Sequence, residues 1–169
     1  ESVQGRESLR ALINKYYYTN CNDRDVVLTS GAQEGIYIVM HALLKPHDHV
    51  ITFTPCFEPL SRVPEALGAE VSHIPLLHGH QWSIDWEALE SSFKSTTRLL
   101  VINFPHNPTG AMITRSELQR LVELCEQHNC WLFSDEVFWG LEHNTQQRLP
   151  CAADLSKRAI SMGVVSKSL

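Results

Sequence analysis

Six short runs of β-branched and apolar residues recur along this chain, and helical patterns separate several of them. That alternation constrains the fold more than any other feature. The runs fall at residues 25–29, 49–53, 69–74, 98–103, 130–134 and 158–163. Leu9, Leu12, Ile13 and Tyr16 mark an opening helix. Ile36, Val39, Met40, Leu43 and Leu44 then repeat at the spacing of one helix face until Lys45-Pro46 stops them. A third helix is read over residues 85–93, with Trp86, Leu89 and Phe93 on one side and Asp85 at its start. Thr114 and Glu117 form a capping box ahead of Leu118, Leu121, Val122 and Cys125, so each side chain can satisfy a backbone donor that the first helical turn leaves open. Strands separated by helices of this length imply a largely parallel sheet. Antiparallel hairpins would need the Asn-Gly or Asp-Gly turns that the chain lacks. The expected fold class is α/β, a mostly parallel sheet with helices on both faces.

A length of 169 residues at 43% hydrophobic content suits one domain with a buried core. The net charge of -5 comes without a basic run, so no nucleic-acid partner is expected. No apolar stretch approaches the roughly 20 residues of a spanning helix, and the opening lacks the basic-then-apolar order of a secretory signal, so the expected setting is cytoplasmic, with no membrane partner. Cys21, Cys56, Cys125, Cys130 and Cys151 are odd in number and form no C-x-x-C pair, which reads as free thiols rather than a disulfide framework or a metal site. His78 and His80 flank a glycine in a polar turn and read as solvated. Glu1 opens directly into a helical pattern and Leu169 follows an apolar run, so the sequence is read as a piece of a longer protein.

In an open α/β sheet the carboxyl ends of the strands gather the loops and the helix N-termini, and ligands bind there. Four segments put polar residues at such positions: Ser30-Gly31-Ala32-Gln33, Asn107-Pro108-Thr109-Gly110, Asp135-Glu136 and Ser166-Lys167. A small-residue turn that leads into a helix offers free amides and the positive end of the helix dipole to an anion. An apolar strand that ends in Asp-Glu also suits a P-loop ATPase, but no G-x-x-x-x-G-K-[ST] stands in the chain. Lys167 follows the apolar run Met162-Gly163-Val164-Val165, which is expected to bring it out of the interior, where desolvation favours a nucleophilic amine.

Taken in order, Ser30-Gly31-Ala32-Gln33-Glu34-Gly35, Thr54-Pro55-Cys56-Phe57, the run from Asn103 to Gly110, Ser134-Asp135-Glu136-Val137-Phe138 and Ser166-Lys167 resemble the fold-type I, class I/II aminotransferases. The resemblance covers the chain from about Gly5 to Leu169. It implies residues 1–169 as part of the large, pyridoxal-phosphate-binding domain of the aspartate-aminotransferase-like fold, with an N-terminal segment and the small domain outside it. By the same resemblance Lys167 holds pyridoxal 5'-phosphate as a Schiff base and moves the proton at the substrate α-carbon. Asp135 pairs with the pyridine nitrogen, Asn107 donates to the ring oxygen O3', and Phe57 stacks on the ring. Gly31, Ala32 and Gln33 form the phosphate turn, with Ser166 a further contact. The implied reaction moves an amino group between an amino acid and a 2-oxo acid, in a homodimer.

Two positions depart from the family pattern. Phe138 stands where relatives carry a tyrosine that donates to O3', and Val164 where they often carry a second phosphate-binding serine. The arginines that the family uses for the phosphate and for the substrate carboxylate lie beyond Leu169, so the 169 residues alone are expected to be inactive. A lyase or synthase of the same fold and a truncated non-catalytic remnant are the alternatives.

Overall fold

The computed structural model describes residues 2–21 and 25–168. Five strands form one parallel sheet: β1 (His49–Thr54), β2 (Glu70–Pro75), β3 (Thr97–Asn103), β4 (Trp131–Asp135) and β5 (Ala159–Met162), in the order β2-β1-β3-β4-β5. The chain leaves β1 for one side of the sheet and returns to its other side as β3, so the strand order reverses between these two. A crevice opens at such a reversal, beyond the carboxyl ends.

Period-two alternation sorts the strand residues between two cores. Val50, Leu99, Val101 and Phe133 face α2 (Ala32–Leu43) and α3 (Pro59–Ala66), where Ile36, Met40, Leu44 and Leu60 meet them. Ile51, Phe53, Leu100, Ile102 and Leu132 face the opposite way, toward Leu89 of α4 (Trp86–Ser91) and Leu118, Leu121, Val122 and Cys125 of α5 (Arg115–Gln127). A strand can be apolar on both sides only when both are covered, and helices cover both here. The capping box at α5 forms as expected, with Glu117 N donating to Thr114 Oγ1 at 3.2 Å and Thr114 N to Glu117 Oε2 at 2.7 Å. Asp85 caps α4 through the Ala88 amide at 3.0 Å.

The structure corrects the expected first strand at residues 25–29. Residues 26–29 take no regular secondary structure and lie outside the sheet, whose edges are β2 and β5. Leu28 N donates to Gln4 O at 2.9 Å, a single bond to the opening turn. A β-branched run needs a sheet edge to become a strand, and this one has none beside it. The opening helix is α1 (Glu7–Tyr17), although Leu9, Leu12 and Tyr16 on its apolar side are exposed. All five cysteines are free, two of them half-buried and three buried. Among the described residues no group of acidic, histidine and cysteine side chains could hold a metal ion, and no helix is long and apolar enough to cross a membrane.

Candidate active site

Asn103, Asp135 and Met162 end β3, β4 and β5 and stand side by side in the parallel register. Asp135 is the chemically unusual member. It is 1% exposed, and its carboxylate accepts a 3.2 Å bond from the Val137 amide. It has no ion-pair partner among the described residues. Burial, helped by the neighbouring Glu136 carboxylate and opposed by the Val137 amide, pushes its pKa from 3.8 up to about 7. A carboxylate held this way gains much from any cation that reaches it.

Asn103 is itself buried at 3% exposure, and both ends of its amide are engaged. Nδ2 donates to the Asp135 carbonyl at 2.9 Å, and Oδ1 accepts from the Asn107 amide at 2.8 Å. The Asn107 turn closes on itself through Gly110 N to His106 O at 2.8 Å and His106 N to Ala111 O at 2.9 Å. The His106 ring pairs with Thr109 Oγ1 at 2.7 Å and also bonds the Pro55 backbone, while burial lowers its pKa and favours the neutral ring. One side chain thus links the Asn107 turn to β4, and another links it to the loop after β1.

That loop carries Phe57, which packs half-buried on the α2 side of the sheet beside the core of Phe133 and Met162. Ala32 and Val137 pack on the same core. The first turn of α2 therefore reaches the end of the sheet where Asp135 lies. Gly31 caps α2 with φ 94°, a conformation that side chains with a Cβ rarely adopt. Gly35, one turn on, lies so close to β5 that a Cβ there would come within 3.2 Å of Met162 Sδ. The helix end, with the amides of Ala32 and Gln33 lacking acceptors within the helix, can lie close to β5 because residue 35 is glycine, while Gly31 supplies the positive φ of its cap.

Ser166 and Lys167 lie on the short α6 (Val165–Ser168) directly after β5. Lys167 Nζ stands 6.0 Å from the centroid of the Phe138 ring, three residues beyond Asp135. The sheet thus brings the amine to the loop that follows the carboxylate, although 32 residues separate the two in sequence. One expectation is not met within the described residues, where Lys167 and Ser166 are both exposed.

Glu136 points to a different neighbourhood, to which sequence reasoning assigned no role. Its Oε1 accepts from Ala152 N at 2.9 Å and from Ser161 Oγ at 2.7 Å, and Ser161 Oγ accepts in turn from Ala153 N at 3.0 Å. Burial raises its pKa against these bonds. The 3-10 turn Ala152–Asp154 continues outward to the end of α1, where Thr19 N and Asn20 N donate to the Asp154 carboxylate at 2.9 and 2.8 Å. Asn103 opens the motif that runs to Gly110, but its work is done through bonds to residues 4 and 32 positions away, which a linear sequence does not display.

Comparison with known proteins decides the family. The profile of the family described as aminotransferase class I and II matches residues 2–169. The chain belongs to this family. It is 37% identical over 150 residues to the probable kynurenine–oxoglutarate transaminase BNA3 of Saccharomyces cerevisiae, a match that covers 80% of this chain and 34% of that protein. It is 33% identical to the arginine–pyruvate transaminase AruH of Pseudomonas aeruginosa, over 98% of this chain and 44% of the relative. A crystal structure of a PLP-dependent aminotransferase from Streptococcus suis superposes with a TM-score of 0.91 at 28% identity, over 98% of this chain and 43% of that one. The chain therefore spans less than half the length of these class I and II relatives.

Proposed function

We propose that residues 1–169 are part of the large cofactor-binding domain of a pyridoxal-phosphate-dependent aminotransferase that moves an amino group between an amino acid and a 2-oxo acid. The observation that carries this reading is Asp135, a buried carboxylate without a cation partner among the described residues, with the Lys167 amine 6.0 Å from the Phe138 ring in the loop that follows it and a glycine-capped helix end at the same end of the sheet. These residues fit the cofactor: a protonated pyridine nitrogen would give Asp135 its missing counter-charge, and the helix end suits a phosphate.

Bound pyridoxal phosphate supplies an electron sink for the pair left at an amino acid's α-carbon. Asp135 would keep the ring nitrogen protonated. Asn107, whose side chain makes no hydrogen bond among the described residues, would donate to the ring oxygen. Phe57 would cover the ring face. Gly31, Ala32 and Gln33 would receive the phosphate, joined by the Ser166 hydroxyl. Lys167 would hold the cofactor covalently and carry the proton at the α-carbon. Phe138 offers an aromatic edge but no hydroxyl, so Asn107 is the side-chain donor to the ring oxygen in this chain. Relatives named for kynurenine, arginine and aspartate bracket a wide substrate range, and this reading commits to the amino-acid and 2-oxo-acid classes only. A homodimer and a reducing, cytoplasmic setting complete the proposal, the latter supported by five free thiols.

Borohydride reduction of the full protein after incubation with pyridoxal phosphate tests it. The expected result is a stable adduct that peptide mapping assigns to Lys167 and that disappears in Lys167→Ala. An undiminished adduct in that variant would remove Lys167 from its role. Release of pyridoxamine phosphate with an amino acid alone supports transfer, whereas release of ammonia with an oxo acid supports the lyase alternative.

A further inference from the structure

Resting on that cofactor reading, we infer that Asn103 is a positioning residue that sets the separation of Asp135 and Asn107, the two side chains assigned to the cofactor's ring nitrogen and ring oxygen. Its amide is the direct link between them. Nδ2 holds the backbone carbonyl of Asp135, and Oδ1 holds the backbone amide of Asn107, both at distances below 3 Å. Asn103 ends β3 in register with Asp135, so the donor bond runs across the strand pair at the point where the β ladder stops. The backbone groups that ladder bonds would otherwise fix are fixed here by a side chain.

Three further features make this an aligning device rather than general packing. The residue is buried with both polar functions satisfied, so its rotamer is locked. Asn supplies a donor and an acceptor on one planar group, which neither Asp nor Ser reproduces with the same reach. The Asn107 turn is held at its far side by His106, through Thr109 and the Pro55 backbone, so it is anchored at two points and the Asn103 bond decides where its near end lies relative to β4. Asn103 is itself assigned no contact with the ring. It acts through the two residues that are.

The test compares pyridoxal phosphate binding by the full native protein with Asn103→Ala, Asn103→Asp, Asp135→Ala and the double variant Asn103→Ala/Asp135→Ala. Binding is followed by the visible absorbance of the reducible adduct, and folding by thermal melting. Loss of either buried hydrogen bond is expected to weaken binding about tenfold and to shift the pH at which the bound chromophore changes colour. In the Asp135→Ala background the further loss is expected to shrink to about threefold, because the carboxylate that Asn103 places through the residue 135 backbone is gone and only its hold on Asn107 is left. If Asn103→Ala does not melt cooperatively, Asn103→Asp, which keeps the size and the acceptor but lacks the donor to Asp135 O, carries the same comparison. Equal losses in both backgrounds, or a variant with native affinity and native colour transition, would overturn the inference and leave the cofactor reading standing. A native protein that binds no pyridoxal phosphate would remove both.

Discussion

Asp135 and Glu136 follow one another in the chain and are both buried, but they leave β4 toward different surroundings. Glu136 is well satisfied: the Ala152 amide and the Ser161 hydroxyl of β5 converge on one of its oxygens, and the turn that carries Ala152 is tethered onward to the end of α1. Asp135 has one amide at 3.2 Å, and the Lys167 amine stands near the Phe138 ring in the loop beyond it. Burial raises both pKa values. The difference lies in what opposes it. Where protein donors satisfy a buried carboxylate, the result is a structural bracket. Where they do not, the group is left with a strong demand for an outside cation, and such unmet demand marks a binding site better than burial alone.

Replacing each carboxylate in turn should give opposite signs. Glu136→Ala strands the Ala152 amide and the Ser161 hydroxyl and is expected to cost the cofactor-free protein about 3 kcal/mol in urea unfolding. A loss under roughly 1 kcal/mol would mean that Glu136 is no bracket and would break the contrast. Asp135→Asn is expected to leave the cofactor-free protein more stable at pH 8, by about 2 kcal/mol. The sign follows from the folded pKa of about 7 lying above the unfolded 3.8: the folded state holds the extra proton, so its stability falls as pH rises between these values. The gain from Asn should therefore fade below about pH 4. A variant that is less stable at pH 8 would show Asp135 to be a structural group like its neighbour. The smallest effect is expected from Asp154→Ala, about 1 kcal/mol, with faster hydrogen exchange at Thr19 and Asn20 and no change in Asp135 titration. A shift in Asp135 titration there would show that the two sides of β4 are coupled.

The sheet was legible because its central strands are apolar on both faces and short. The runs at 49–53, 98–103 and 130–134 became β1, β3 and β4 to within a residue at either end. Two elements were not legible, for opposite reasons. Residues 26–29 have the composition of a strand, and only the absence of an edge beside them decides otherwise. α3 has the composition of a loop, with Pro59 and Pro64 in eight residues; Pro59 takes the first turn, where its missing donor costs nothing, and Leu60 docks the helix on the sheet. Asp135, Asn107, Phe57 and Lys167 could be picked out because polar or aromatic residues after strands stand out in a linear reading. The exposure of Lys167 could not, since it depends on what packs above α6, and the engagement of Asn103 and Glu136 exists only in the folded register.

Titration of the Asp135 side-chain carboxyl by carbon-13 NMR in the full protein, before and after pyridoxal phosphate is added, tests the central claim most directly. The expected free-state midpoint is near pH 7. On binding it should fall below the accessible range, as a ring nitrogen cation holds the carboxylate ionised. A free-state midpoint near 4, or one near 7 that the cofactor leaves unmoved, would contradict the assignment of this carboxylate to the cofactor's nitrogen.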